Sequence, residues 1–236
     1  MNDAPEAQTH HDRPQVKPAT VSVFCDVACG WATVALSRFY AARERNGIDP
    51  EKLRVEHRPF LLEEHNGTPH QKVMVEAQIG VFGQLEPEFG WVPWQAAESE
   101  WPVTSLLANE AVRAAQKQGL AASERLDWAL RRALFCESRY ISMRHEIQAV
   151  ADGCDMDVAQ LMADLDSGSV RAAMWSDYRR HRDVVDGSPH FFTSDGIDAF
   201  NPGVRFEWEG EPGASVPVVE RDQPEPVDLL LHQATA

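Results

Sequence analysis

No stretch of the chain approaches the roughly 18 consecutive apolar residues that a membrane-spanning helix needs. Cysteine is scarce, with four among 236 residues, too few and too scattered to read as a structural disulfide framework. Nor does any Cys/His spacing resemble a zinc site: His65 and His70 flank a turn with no cysteine pair near them, so no metal is expected. Cations are outnumbered, 22 Lys and Arg against 37 Asp and Glu, for a net charge of -15. Nucleic acids and anionic membranes both require clustered Lys and Arg, so neither is an expected partner. The local run Arg179-Arg180-His181-Arg182 reads as a solvated helix end favoured by the helix dipole. Internal repeats and an apolar secretory segment are missing as well. Residues 1–18, with Pro5, Pro14 and Pro18 among polar filler, read as a disordered arm, and the chain is expected in the cytoplasm.

What the chain does contain begins with Thr20–Cys25, an apolar β-branched run that reads as a strand buried on both faces. From Gly30 to about Arg45 the apolar residues Trp31, Val34, Ala35, Phe39 and Ala42 recur near helical spacing, and Asn46-Gly47 stops the helix. Lys52 to Phe60 alternates at Leu53 and Val55 and reads as a second strand, completing a βαβ unit with a right-handed crossover. Glu63 to Glu100 is rich in Gly, Pro and Trp, predicting one short helix near Gln71–Ile79 and then irregular structure. Helical patterns follow from Ser105 to Arg182, including Val158–Leu165 with Asp157 as its N-cap. His190–Thr193, a turn at Ser194-Asp195-Gly196 and Val204–Trp208 read as strand, hairpin turn and strand, and Val227–Gln233 as a last helix.

Cys29 stands where the first strand gives way to the first helix. Free N–H groups and the positive dipole end of that helix would face its sulfur and favour thiolate, lowering a thiol pKa from about 8.5 to roughly 3.5–7.5. It is the candidate nucleophile. Three positions on, where a dithiol site carries its second cysteine, stands Ala32. Cys25 can resolve a disulfide if the loop brings it close, or it is a small buried apolar residue. Asp26, if near, would raise the Cys29 pKa and oppose the dipole. Trp91, Trp94 and Trp101 either line a cleft or pack in the core, while Cys136 and Cys154 read as structural.

Four segments in order resemble the DsbA-like branch of the thioredoxin fold. Phe24-Cys25-Asp26-Val27-Ala28-Cys29-Gly30-Trp31-Ala32 is similar to the active-site segment of FrnE-type members, where Asp, two small residues and Cys-Pro-Trp-Cys follow the first strand. His57–Leu62 resembles the end of their second strand, and Glu110–Gly119 with Arg131–Ser142 their insertion helices. Gly187-Ser188-Pro189-His190 and Asp198–Gly203 resemble the cis-proline loop and following hairpin of actinobacterial members. The chain departs from the pattern at Gly30, for proline, and at Ala32, for the second cysteine.

The resemblance implies an α/β thioredoxin-like fold with a long α-helical insertion: a core over 19–62 and 184–236 and an insertion domain over 63–183. It implies a thiol-dependent oxidoreductase with Cys29 as single catalytic nucleophile and Gly30, Trp31, Ser188, Pro189 and His190 binding thiol or substrate; Cys25, which matches no family cysteine, is the candidate resolving thiol by its nearness in sequence alone. The implied co-substrate is a low-molecular-weight thiol, mycothiol or glutathione, with no tightly bound cofactor. The implied substrate is a small-molecule or protein disulfide, and a homodimer is a further partner to be considered. Alternatives are a kappa-class-like glutathione- or mycothiol-dependent transferase or isomerase, and a redox-inactive binding module.

Overall fold

The computed structural model describes residues 13–211 and 215–235. Residues 1–12 of the expected arm lie outside them. Its remainder is docked: Pro14 is buried, Val16 packs beside Phe24 and Phe192, and Arg13 pairs with Asp198 at 2.8 Å.

A four-stranded sheet organises the chain, in the order β2-β1-β3-β4. Strand β1 (Thr20–Cys25) runs parallel to β2 (Arg54–Pro59), joined by helix α1 (Gly30–Arg45). Flanked on both edges and covered on both faces, β1 is wholly buried, the polar Thr20 and Ser22 included. Val21, Val23 and Cys25 enter the main core, while Phe24 turns to the other face with Phe60 and Phe192. Strand β3 (His190–Thr193) adds antiparallel to β1, with Phe24 opposite His190, and β4 (Asp198–Phe200) adds antiparallel to β3.

Between β2 and β3 lies the helical insertion: α2 (Leu62–Asn66), α3 (Lys72–Leu85), α4 (Leu106–Ala115), α5 (Leu120–Phe135), α6 (Arg144–Ala151), α7 (Val158–Asp166) and α8 (Ser169–His181). Helix α7 starts as expected, the Asp157 carboxylate accepting from Gln160 N–H at 2.9 Å. Helix α3 runs six residues past the predicted Ile79. Gly80 and Gly83 have open space around them, so their cost of about 1 kcal/mol each is propensity alone, and burial of Ile79 and Phe82 outweighs it.

The C-terminal strands pair differently from expectation. After the Ser194–Gly196 turn β3 pairs with β4, too short to show alternation, and not with β5 (Val204–Glu209). That strand forms a separate two-stranded sheet with β6 (Val216–Asp222), whose Pro217 masked it in the sequence but is tolerated in so small a sheet. Helix α9 (Glu225–Thr235) closes over α1. Among the described residues no helix is long and apolar enough to cross a membrane.

Candidate active site

The turn from β1 into α1 is held from both sides. The Asp26 carboxylate is fully buried and accepts from Ala28 N–H (2.8 Å), Leu62 N–H (3.1 Å) and the Ser105 hydroxyl (2.9 Å). Val27 N–H donates to Asn109 Oδ1 at 3.0 Å. Asp26 N–H donates to the Ser188 hydroxyl at 3.1 Å, tying the turn to the loop before β3. Cys29 is thereby fixed as the N-cap of α1, its sulfur accepting from Ala32 N–H at 3.4 Å. On its other side the Cys29 thiol donates to the Ser188 carbonyl at 3.2 Å, and the Ser188–Pro189 peptide bond is cis.

Cys29 is 5% exposed and reaches the surface in a groove of about 600 Å³, also lined by Gly30, Trp31 and Ser188. The groove lies between α2, the start of α3, and the rim formed by Phe200 of β4 with Phe206 and Trp208 of β5. Trp31 stacks on Phe206 at 3.8 Å and meets the Phe82 edge at 4.9 Å, forming an aromatic wall beside the sulfur. A larger cleft, about 740 Å³, sits at the opposite ends of β1 and β2, between the starts of α5 and α8, and contains no cysteine.

Gly30 explains one departure from the pattern. A Cβ at this position would lie 2.1 Å from the Phe82 ring, so Phe82 occupies the volume a proline would fill. Glycine here follows from contact with a side chain 52 residues away, a pairing that local sequence cannot reveal.

Behind the site lies a buried charge cluster that sequence reasoning missed. Arg131 of α5 is wholly buried and grips Asp127, Nε to Oδ2 at 2.7 Å and Nη2 to Oδ1 at 3.1 Å. The same guanidinium donates to the carbonyls of Cys29 (3.2 Å) and Val27 (3.4 Å), to Thr33 Oγ1 (3.0 Å) and to Cys25 Sγ (3.3 Å). His57 Nε2 lies 3.2 Å from Asp127. The available signal was spacing: Asp127 and Arg131 share one helical face with Leu130 and Leu134.

The electrostatics reverse one expectation. Burial pushes the Cys29 thiol pKa up from its ordinary value; the Ser188 side chain, the Ala32 N–H and the Arg131 charge pull it back, and Asp26 adds to the rise. The net direction is upward, because desolvation of the thiolate outweighs one helix terminus. Burial raises the Cys25 thiol further still. Cys25 does not line the groove; it lies under Arg131 in the core. Burial pushes the Asp127 carboxyl upward too, yet Arg131 and His57 hold it well below the usual range.

His190 also departs from expectation. It is buried on β3, its Nδ1 accepting from Asp186 N–H at 3.1 Å while Nε2 faces Asp198 at 3.5 Å, and it does not line the groove. Pro189 is likewise off the lining, its part being the bend that presents Ser188. Trp94 and Trp101 pack on each other at 5.2 Å, and Trp91 packs against Phe135; none borders the groove. The structure thus brings Cys29, Gly30, Trp31 and Ser188 together and leaves Cys25 and His190 outside. Among the described residues no group of three His, Cys, Asp or Glu side chains could hold a metal ion.

A parallel βαβ unit, a helical insertion, an antiparallel return strand after a cis-proline, and a cysteine capping the first helix define a thioredoxin-fold protein of the inserted kind. The family model of the DSBA-like thioredoxin domain matches residues 20–207, and the chain belongs to that family. Among solved structures it is similar to a probable DsbA oxidoreductase from Streptomyces coelicolor (17% identity, 92% of this chain and 88% of that one, TM-score 0.62). It is also similar to the cytosolic disulfide reductase DsbM from Pseudomonas aeruginosa with GSH (18%, 90% and 97%, TM-score 0.55). A third is a 2-hydroxychromene-2-carboxylate isomerase (12%, 77% and 88%, TM-score 0.56). At these identities the likeness establishes the fold. No curated protein matches.

Proposed function

We propose that the protein is a monothiol disulfide-exchange enzyme in which Cys29 is the nucleophile and a low-molecular-weight thiol of the cytoplasm resolves the mixed disulfide. One observation carries the reading: the Cys29 sulfur caps α1, lies 3.2 Å from the Ser188 carbonyl, opens on a groove, and has Ala32 where a second thiol would stand. The Cys29 thiolate attacks one sulfur of a disulfide R–S–S–R′; that S–S bond breaks, Cys29–S–S–R forms, and R′–S⁻ leaves and takes a proton. A small thiolate R″–S⁻ then attacks the R sulfur, releasing R–S–S–R″ and regenerating the Cys29 thiolate. The steps balance without an external oxidant, and neither Cys25 nor His190 takes part. DsbM, a disulfide reductase described with GSH, supports a small thiol as co-substrate in this fold.

The test is thiol–disulfide exchange with the wild-type chain and Cys29→Ser, with mass spectrometry of the adduct. Loss of exchange in the variant and a single small-thiol adduct on Cys29 are expected. Because burial raises the thiol pKa, the alkylation rate should keep climbing with pH past the ordinary thiol value, with no earlier plateau. A Cys25–Cys29 disulfide after mild oxidation would overturn the division of roles. That same upward shift favours a second reading, a transferase or isomerase whose groove activates a bound small thiol. Saturable binding of the thiol that survives Cys29→Ser marks this second case, and no binding or exchange in either chain marks a redox-inactive module.

A further inference from the structure

The groove beside Cys29 is poor in charged side chains. Of the described residues lining it none is lysine or arginine, and the only carboxylate is Asp186, two residues before Ser188. Residues 1–12 and 212–214 contain no lysine or arginine either. Arg131, whose charge reaches Cys29, is fully buried and paired with Asp127, so it cannot serve as counter-ion to a ligand in the groove. Of the two histidines, His70 hydrogen-bonds Ser105 through Nε2 at 2.9 Å, while the exposed His65 ring lies 4.9 Å from Phe60.

What the groove offers is apolar surface and neutral hydrogen-bonding groups. Phe200 and Trp208 stand about half exposed on its rim, while Asn66 and Gln71 supply amides. Trp31, 7% exposed, contributes to the lining, and its buried indole N–H has no hydrogen-bond partner. A carboxylate brought here loses hydration and gains no lysine or arginine, whereas a neutral amide or hydroxyl gives up less hydration.

We infer that the groove takes an uncharged thiol or disulfide bearing amide or hydroxyl groups, and disfavours carboxylate-bearing ones of the glutathione kind. The inference rests on Cys29 being the exchange nucleophile and adds the class of its small-molecule partner. The step read out is attack by the Cys29 thiolate on a symmetric disulfide R–S–S–R, forming Cys29–S–S–R and releasing R–S⁻, which takes a proton.

The experiment compares two disulfides that differ only in charge, those of N-acetylcysteine and of N-acetylcysteine amide. Rates of Cys29 modification in the full chain are followed by peptide mass spectrometry and divided by each probe's rate with 2-mercaptoethanol. The neutral probe should react at least tenfold faster. The ratio should persist in 0.5 M NaCl, where exposed charges are screened beyond about 4 Å, and in Asp186→Asn, because the Asp186 side chain is itself exposed. Equal rates, a faster anionic probe, or a ratio that vanishes in salt would overturn the selectivity while leaving Cys29 as nucleophile. Modification of Cys29 by neither probe would overturn the nucleophile and the selectivity together.

Discussion

Arg131 offers the sharpest test of how the active-site turn is held. Substituting Arg131→Met keeps much of the side-chain volume and removes the charge. Asp127 is then a buried carboxylate with His57 as its remaining partner, and the Val27 carbonyl loses the guanidinium donor. The Cys29 carbonyl loses less, because Thr33 still donates to it from both N–H and Oγ1 at 3.1 Å. Removing one partner of a buried ion pair costs about 3–5 kcal/mol. Against a total stability of about 5–15 kcal/mol the variant should fold yet unfold far earlier. With a urea dependence of about 1–3 kcal/mol per molar, the midpoint should fall by at least about 1 M, followed by tryptophan fluorescence. The double variant Asp127→Asn with Arg131→Met should recover at least half the loss, since no buried charge is left unpaired. Cys29 alkylation in Arg131→Met should also move to higher pH, because the arginine charge pulls that pKa down. A loss under about 1 kcal/mol, or additive costs in the double variant, would refute the account.

Gly30→Ala should destabilise the chain by about 1–3 kcal/mol, because its Cβ would fall 2.1 Å from the Phe82 ring; adding Phe82→Leu should recover part, and an unchanged melting temperature for the single variant would refute the contact. Burial alone would raise Asp177, but hydrogen bonds from His181 and Arg58 hold it down to about 2. A depressed carboxylate stabilises above its unfolded pKa of 3.8 and loses that contribution as pH falls through the folded value. About 2 kcal/mol should therefore disappear between pH 4 and 2, and Asp177→Asn should remove that slope from acid unfolding curves; an unchanged slope counts against the pair.

Local pattern carried much of the architecture. The β-branched run of β1, the spacing of Trp31, Val34, Ala35 and Phe39, and the Asn46-Gly47 stop are one-dimensional signals of strand, helix and cap. They placed Cys29 at the strand-to-helix junction, and the Ser188-Pro189 pair before β3 was visible as well. Strand β6 and helix α3 beyond Ile79 were not, because Pro217, Gly80 and Gly83 argue locally against structures that partners from elsewhere stabilise. The site divides in the same way. Which residue caps α1 is a property of a few neighbours along the chain. Whether its sulfur is easily ionised depends on the water removed by everything packed around it, and so do the burial of Arg131 beneath the turn, the Phe82 ring against Gly30, and the turning of His190 into the sheet. Ser188 reaches Cys29 from 159 positions away. Periodicity reports which face of an element is apolar but is silent on which distant face meets it, and desolvation is set by that meeting; the fold alone therefore decided the electrostatics of this cysteine.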